Sequence, residues 1–267
     1  MNNRIFQEKA KVVYTREIAE NTFETMLHSP EISNHSKPGQ FINILPSLNW
    51  YSMMRRPMSI ASQGDGEISI IYKVVGDGTR LMQSWGVGEL VDIIGPLGNF
   101  WTEYRDYEPI LIGGGVGIAP IMNLKKHLDN LDIDSHLIMG ARTSDEHFLK
   151  HNPNRQVYMS TDDGSLGIKG TVINVLESLG QSINNKKIFA CGPPGMMEAV
   201  KTYSLNNNII CDLAIETIMA CGVGICQGCT VELNQHCEDQ NSYRQKYALA
   251  CIDGPIFNAR DIKTCYL

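Results

Sequence analysis

The chain has 267 residues, a formal net charge of −6 and a sequence pI near 5.6. That length buries roughly 70–75% of the unfolded surface and allows two or three domains. The acidic balance, without a block of Lys or Arg, argues against a nucleic-acid or anionic-membrane partner.

The N-terminal stretch MNNRIFQEKAKVVYTREIAE has no apolar signal core, and no apolar run reaches the roughly 20 residues needed to span a bilayer. A cytoplasmic protein is expected. Its eight cysteines then point to metal or redox chemistry rather than to disulfides.

In chain order, the first unit (residues 1–104) reads as six short strands: AKVVYTREI, TFETMLH, QFINILP, RPMSIAS, EISIIYKVV and ELVDIIGP. Gly-bearing turns separate several of them, and one helical insertion falls near TRLMQSW. Strands at this spacing predict a small antiparallel barrel. The second unit (105–212) alternates strands, PILIGG, HLIMGA, QVYMST and KKIFACG, with helical stretches GIAPIMNLKKHLDNL, GTVINVLESL and GMMEAVKTYSLN. Such alternation predicts a doubly wound parallel sheet covered on both faces. The third unit (213–267) is a cysteine-rich tail.

In the first unit, the adjacent Arg55 and Arg56 beside Pro57 suit bidentate contacts to a phosphate pair, although a solvated charged pair would look the same. In the second, LIGGGVGIAP (111–120) runs from a strand through a glycine turn into a helix. Gly113, Gly114, Gly115 and Gly117 allow a pyrophosphate to approach the helix N-terminus, and Pro120 stands where a third fingerprint glycine would be. ACGPPGMM (190–197) closes another strand at the edge where open α/β sheets bind ligands. Cys191 there is either a buried small residue or a neighbour of a nicotinamide ring.

In the tail, Cys221, Cys226 and Cys229 form C-x4-C-x2-C, and Cys251 follows after a 21-residue gap. This is the plant-type spacing of a [2Fe–2S] cluster, with three thiolates from one loop and a fourth from a distant strand. Zinc would favour paired C-x2-C knuckles, and only Cys226 with Cys229 makes one. Merely buried cysteines would not need the glycines Gly222, Gly224 and Gly228 between them. Cys237 is the rival fourth ligand, but it lies in the polar NQHCEDQN, whereas Cys251 closes the apolar YALAC. A strand end fixes a thiolate better than a polar turn does.

The order R-P-x-S, G-G-G-x-G-x-x-P, C-G-P-P, C-x4-C-x2-C and D-G-P resembles the ferredoxin–NADP reductase superfamily over essentially the whole chain. Within it, the resemblance is to the electron-transfer subunits of NAD-dependent dihydroorotate dehydrogenase. It implies a barrel that binds FAD, a sheet that binds NAD and a tail that carries a [2Fe–2S] cluster. Arg56, Pro57, Met58 and Ser59 match the flavin segment, with Arg56 at the pyrophosphate and Ser59 at the isoalloxazine. Met58 stands where the wider superfamily often has tyrosine. Ile71, Tyr72 and Lys73 match a second flavin strand, and Gly78 and Thr79 a phosphate-contacting turn. Gly113–Pro120 and Cys191, Gly192, Pro193 and Pro194 match the nicotinamide-nucleotide segments, and GARTSDEHF and STDDGSLGIKG also look like that family's sheet. Cys221, Cys226, Cys229 and Cys251 match its cluster ligands.

The resemblance further implies an oxidoreductase subunit of pyrimidine biosynthesis that holds no catalytic base of its own. Electrons would pass from dihydroorotate to FMN in a catalytic partner, then through the cluster and FAD to NAD+, in a heterotetramer of two plus two. Related subunits of sulfide dehydrogenases and of electron-bifurcating transhydrogenases share this layout. A non-enzymatic redox-sensing module is a third reading.

Overall fold

The computed structural model describes residues 4–47, 54–179, 185–234 and 246–266. Six strands, β1 (Phe6–Ala19), β2 (Thr22–His28), β3 (Phe41–Leu45), β4 (Arg56–Gly64), β5 (Glu67–Lys73) and β6 (Leu90–Leu97), close a barrel in the order β1-β2-β5-β4-β3-β6. All pairings described are antiparallel. Strand alternation sorts the side chains: Ile42, Ile44, Ile60, Ile68, Ile70 and Ile93 are fully buried in the barrel core. Each contributes about 1.5–3 kcal/mol by leaving water. Phe41 and Leu97 instead belong to a second core outside the barrel.

Two short helices interrupt the strands. One, α1 (Pro30–His35), carries Pro30 in its first turn and has no counterpart in the sequence expectations; the other, α2 (Asp77–Gln83), is the expected insertion. Proline is tolerated there because the first-turn N–H has no intrahelical acceptor.

The sheet unit contributes β7 (Glu108–Gly114), α3 (Ile118–Asp129), β8 (His136–Ala141), β9 (Val157–Thr161), β10 (Ile168–Lys169), α4 (Val172–Leu179), β11 (Lys186–Cys191), α5 (Pro194–Asn206) and β12 (Ile210–Ala214). The tail adds the hairpin β13 (Thr230–Glu232) and β14 (Tyr247–Leu249), then β15 (Ile256–Asn258). The sheet order is β10-β9-β8-β7-β11-β12-β15, parallel except for the β12–β15 edge. The strand order reverses between β7 and β11, which is where such sheets bind ligands.

β12 runs across residue 212, the expected limit of the sheet unit, and β15 pairs with it. The third segment therefore shares the second one's sheet. Strand–helix alternation could not reveal β12, because no helix follows it.

Several contacts set the barrel against the sheet. Asn123 of α3 donates its amide N–H to the Ile60 carbonyl and to Gln63 Oε1, both at 3.1 Å. A continuous buried cluster also joins Phe41 and Leu97 to Ile188 and Leu213 of the sheet and to Cys229, Val231 and Cys251 of the tail. Among the described residues no helix is long and apolar enough to cross a membrane.

Candidate functional site

The barrel, the sheet and the chain entering the cysteine loop enclose a cleft of about 300 Å³. From the barrel it takes Pro57, Met58 and Ser59 of β4 and Ile71, Tyr72 and Lys73 of β5, with Thr79 at the start of α2. The sheet supplies Gly117 and Cys191. The flavin and nicotinamide segments expected from sequence thus face one another across one hollow. A larger, shallower depression of about 860 Å³ lies on the outer face along α4 and α5 and touches none of these residues.

Arg56 and Gly78, 22 positions apart in sequence, meet at the rim. A Cβ at Gly78 would come within 2.9 Å of Arg56 Nε, so a side chain there would push the guanidinium off this turn. Arg56 is steadied by the carbonyls of Met54 and Arg55, at 2.8 and 3.3 Å. A guanidinium beside a helix start fits a phosphate group. The Thr79 hydroxyl accepts the Val75 and Gly76 N–H groups and donates to the Gly76 carbonyl, so it shapes the turn. Arg55 is not a solvated cation. Its Nη2 donates to Asp92 Oδ1 at 2.5 Å and its Nη1 to the Asn43 and Asp92 carbonyls at 3.2 Å, which fixes β3 to β6.

On the sheet side, the turn after β7 is a 3-10 turn over Gly115–Gly117. Gly115 has φ +52 and would direct a Cβ into open space, whereas Gly117 lies against the Cys191–Gly192 backbone. Gly113 and Gly114 are close against Ile118 and Met196, and Gly192 against Met196. Four of these glycines therefore answer to strand-end packing, and Gly115 leaves room for a ligand. Pro120 is buried in the first turn of α3, and Pro193 with Pro194 starts α5. Burial, assisted by the Glu216 charge, pushes the Cys191 thiol up to about 12, so it stays a neutral group at the cleft floor.

The cysteine loop is bolted to the barrel by a residue that sequence motifs did not single out. Asn43 of β3 donates to the Ala220 and Cys221 carbonyls, both at 3.2 Å, and it pairs with Pro57 across the β3–β4 ladder. The loop thus sits directly behind the flavin segment. The signal was present: Asn43 is the one polar residue in the apolar run FINIL, and it is fully buried. Glu216 and Thr217 were also missed, although they follow the end of β12 and line the cleft with Met219.

Within the loop, Gly222 (φ +71) and Gly224 (φ +78) turn the backbone inward. The Val223 and Cys226 N–H groups donate to Cys221 Sγ at 3.4 Å. Burial works to raise the Cys221 thiol, yet these N–H donors outweigh it and bring it to about 6, a thiolate at neutral pH. Cys229 Sγ and Cys251 Sγ lie 3.2 Å apart and are buried. Burial and the Cys229 sulfur hold the Cys251 thiol well above the usual range. At neutral pH the Cys251 sulfur thus keeps its proton, and a metal would have to displace it to bind this pair as thiolates. Among the described residues no three His, Cys, Asp or Glu side chains converge on one point. Of the four cysteines expected to hold a cluster, Cys229 and Cys251 are in contact, while Cys226 is exposed at the loop surface. Cys237 lies outside the described residues.

Around this loop Ile225 is 81% exposed, Ile218 85% and Ile252 53%, an apolar patch beside the exposed Cys226. The D-G-P-I-F segment carries Ile252's neighbours back to the barrel. Asn99 donates to the Asp253 and Ile256 carbonyls at 3.0 and 2.8 Å and accepts the Ile256 N–H at 2.9 Å.

Residues 216–263 match the family described as the iron-sulfur cluster binding domain of dihydroorotate dehydrogenase B, and residues 111–202 the oxidoreductase NAD-binding domain. The chain is 32% identical over 257 residues to the dihydroorotate dehydrogenase B (NAD(+)) electron transfer subunit of Fusobacterium nucleatum, covering 92% of this chain and 95% of that one. It is 33% identical over 267 residues to the Geobacillus thermodenitrificans protein of the same name, covering 97% and 99%. Among solved structures, an NADH-dependent reduced ferredoxin-NADP oxidoreductase studied for flavin-based electron bifurcation superposes with a TM-score of 0.83. It shares 28% identity, with 96% of this chain and 90% of that one covered.

Proposed function

The chain belongs to the family of dihydroorotate dehydrogenase B (NAD(+)) electron transfer subunits, and on that premise we propose that it carries electrons from a dihydroorotate-oxidising partner, through a [2Fe–2S] cluster and FAD, to NAD+ in pyrimidine biosynthesis. The observation that carries this reading is Asn43, whose amide holds the cysteine loop against the strand next to the flavin segment. A flavin exchanges electrons singly or as hydride, which is what a junction between a one-electron cluster and NAD+ requires.

The residues divide the work. Arg56 over Gly78 holds the flavin phosphates, while Ser59, Met58, Tyr72 and Lys73 form the ring wall of the cleft. Cys191, a neutral thiol, and Glu216 close the opposite wall, which would hold the nicotinamide for hydride transfer with the flavin. Gly115 leaves the path by which the pyrophosphate reaches α3. Cys221, Cys226, Cys229 and Cys251 would supply the four thiolates of the cluster, and the N–H groups of Val223 and Cys226 favour the charged sulfur of Cys221.

The name shared by these relatives implies a catalytic partner subunit. We assign FMN and the dihydroorotate site to that partner, with two copies of each chain assembled in the cytoplasm. The exposed Ile218, Ile225 and Ile252 beside Cys226 support docking at the cluster face. Reconstitution tests the proposal: NAD+ reduction by dihydroorotate should appear with the partner and be absent from this chain alone. Orotate production by the chain alone would overturn it. The superposition at TM-score 0.83 favours one second reading, the corresponding subunit of a bifurcating enzyme. That reading requires a co-purifying partner that reduces ferredoxin or NADP+ instead of oxidising dihydroorotate.

A further inference from the structure

β8 lies beside β7 in parallel register, Gly114 opposite Gly140, and ends at Ala141. In this strand order the pyrophosphate sits on the turn after β7. The end of the neighbouring strand meets the adenosine ribose, where an acid takes the 2′-OH of NAD or an arginine accommodates the 2′-phosphate of NADP. Arg142, with its side chain 75% exposed, stands at that position. By residue type alone this edge would take NADP.

Its surroundings say otherwise. Arg142 Nε and Nη2 donate to Glu146 Oε1 at 3.1 and 2.5 Å, and the Arg142 backbone N–H donates to Glu146 Oε2 at 3.1 Å. Lys73 Nζ, from the flavin strand β5, donates to the same Oε1 at 3.1 Å. The acid cannot swing away easily, because the Glu20 N–H donates to the Asp145 carbonyl at 3.3 Å and ties this loop to the barrel. Asp162 and Asp163 flank the arginine, their N–H groups donating to the Ala141 and Arg142 carbonyls at 3.2 and 3.4 Å. Isolated exposed ion pairs are weak, but this one is bidentate in its donors, supported by a backbone N–H and shared with a second cation, the arrangement in which such pairs count.

We propose that Glu146 makes this chain selective for NAD(H) over NADP(H) by holding the Arg142 guanidinium in an ion pair, so that it does not receive a 2′-phosphate. The inference rests on the nucleotide-site reading given above. Glu146 acts through Arg142 and is a positioning residue. An incoming 2′-phosphate meets the charges of Glu146 and Asp162 that act on Arg142, whereas the 2′-OH of NAD loses nothing by their presence.

The test uses the assembled enzyme with NADH or NADPH as donor and ferricyanide as acceptor, together with calorimetric binding of adenosine 2′,5′-bisphosphate and 5′-AMP. Glu146→Gln keeps an acceptor oxygen for the Arg142 N–H but removes the charge. It should raise the NADPH/NADH ratio of kcat/KM about tenfold, through KM for NADPH, with a matching gain for the bisphosphate over 5′-AMP. Adding Arg142→Ala should take that gain away. Arg142→Ala alone, at an exposed side chain that does not threaten folding, should leave the ratio unchanged. An unchanged ratio in Glu146→Gln, a gain that survives Arg142→Ala, or a tenfold fall in the ratio in Arg142→Ala alone overturns the proposal. Wild-type enzyme that oxidises neither nucleotide would instead overturn the nucleotide-site reading beneath it.

Discussion

The sulfurs of Cys229 and Cys251, 22 residues apart in sequence, lie 3.2 Å from each other at the base of the cysteine loop. This contact supports Cys251 as the fourth ligand by position, beside its place in the motif. Replacing Cys251 with Ser should remove or destabilise the cluster as severely as Cys226→Ser, read from iron content and visible absorbance, while FAD stays bound. Full iron retention in either variant would refute the ligand set. Cys237→Ser should change little.

Asn43 joins the cysteine loop to the barrel by two hydrogen bonds to half-buried carbonyls. Asn43→Leu leaves both carbonyls without a donor, which costs about 1–3 kcal/mol each in the worst case. The variant should lower Tm and slow electron passage from the partner to NAD+, while NADH oxidation by a flavin-directed acceptor is spared. Equal losses in both assays would assign Asn43 to overall stability alone.

Arg56 and Arg55 are neighbours with separate tasks. Arg56→Ala should weaken FAD binding by roughly 10- to 100-fold, as expected for one or two charge-assisted bonds to phosphate. Arg55→Ala should instead destabilise the barrel, because it leaves Asp92, only 7% exposed, short of a partner. Titration of apoprotein with FAD and thermal unfolding separate the two effects.

Glu146 is held well below the usual glutamate range, to about 2, by the Arg142 guanidinium first, against an opposing effect of burial, and then by the Arg142 backbone N–H and Lys73. A depressed carboxylate contributes stability that is fully present above its unfolded pKa, about 4.3, and is lost as pH falls through the folded value. The Tm difference between wild type and Glu146→Gln should therefore be constant from pH 7 to about 5 and shrink toward pH 2. A difference that grows on acidification would contradict the ion-pair account.

Ile225 is exposed between two cluster ligands. Ile225→Glu should weaken assembly with the partner before it alters FAD reduction by NADH, since Ile225 does not line the cleft. Sizing of the mixed subunits gives the answer, and normal assembly of the variant would move the interface elsewhere.

The six barrel strands, the strand–helix alternation of the sheet and the cysteine spacing are legible in the sequence because each is a local pattern. Period-two alternation, the 3.6-residue stripe and C-x4-C-x2-C all lie within a few residues of one another, so neighbouring side chains are enough to specify them. What tertiary structure alone decided is non-local. No local pattern shows that Arg55 is spent on Asp92 while Arg56 lies over the Gly78 turn, because the difference lies in a strand 37 positions away. Nor could the sequence show that β15 returns to the sheet, that Asn43 reaches a loop 177 residues onward, or that Arg142 is already held by an acid. Such outcomes depend on which charges and carbonyls packing leaves within hydrogen-bond reach of each other, and chain closure sets that only when barrel, sheet and tail share one core.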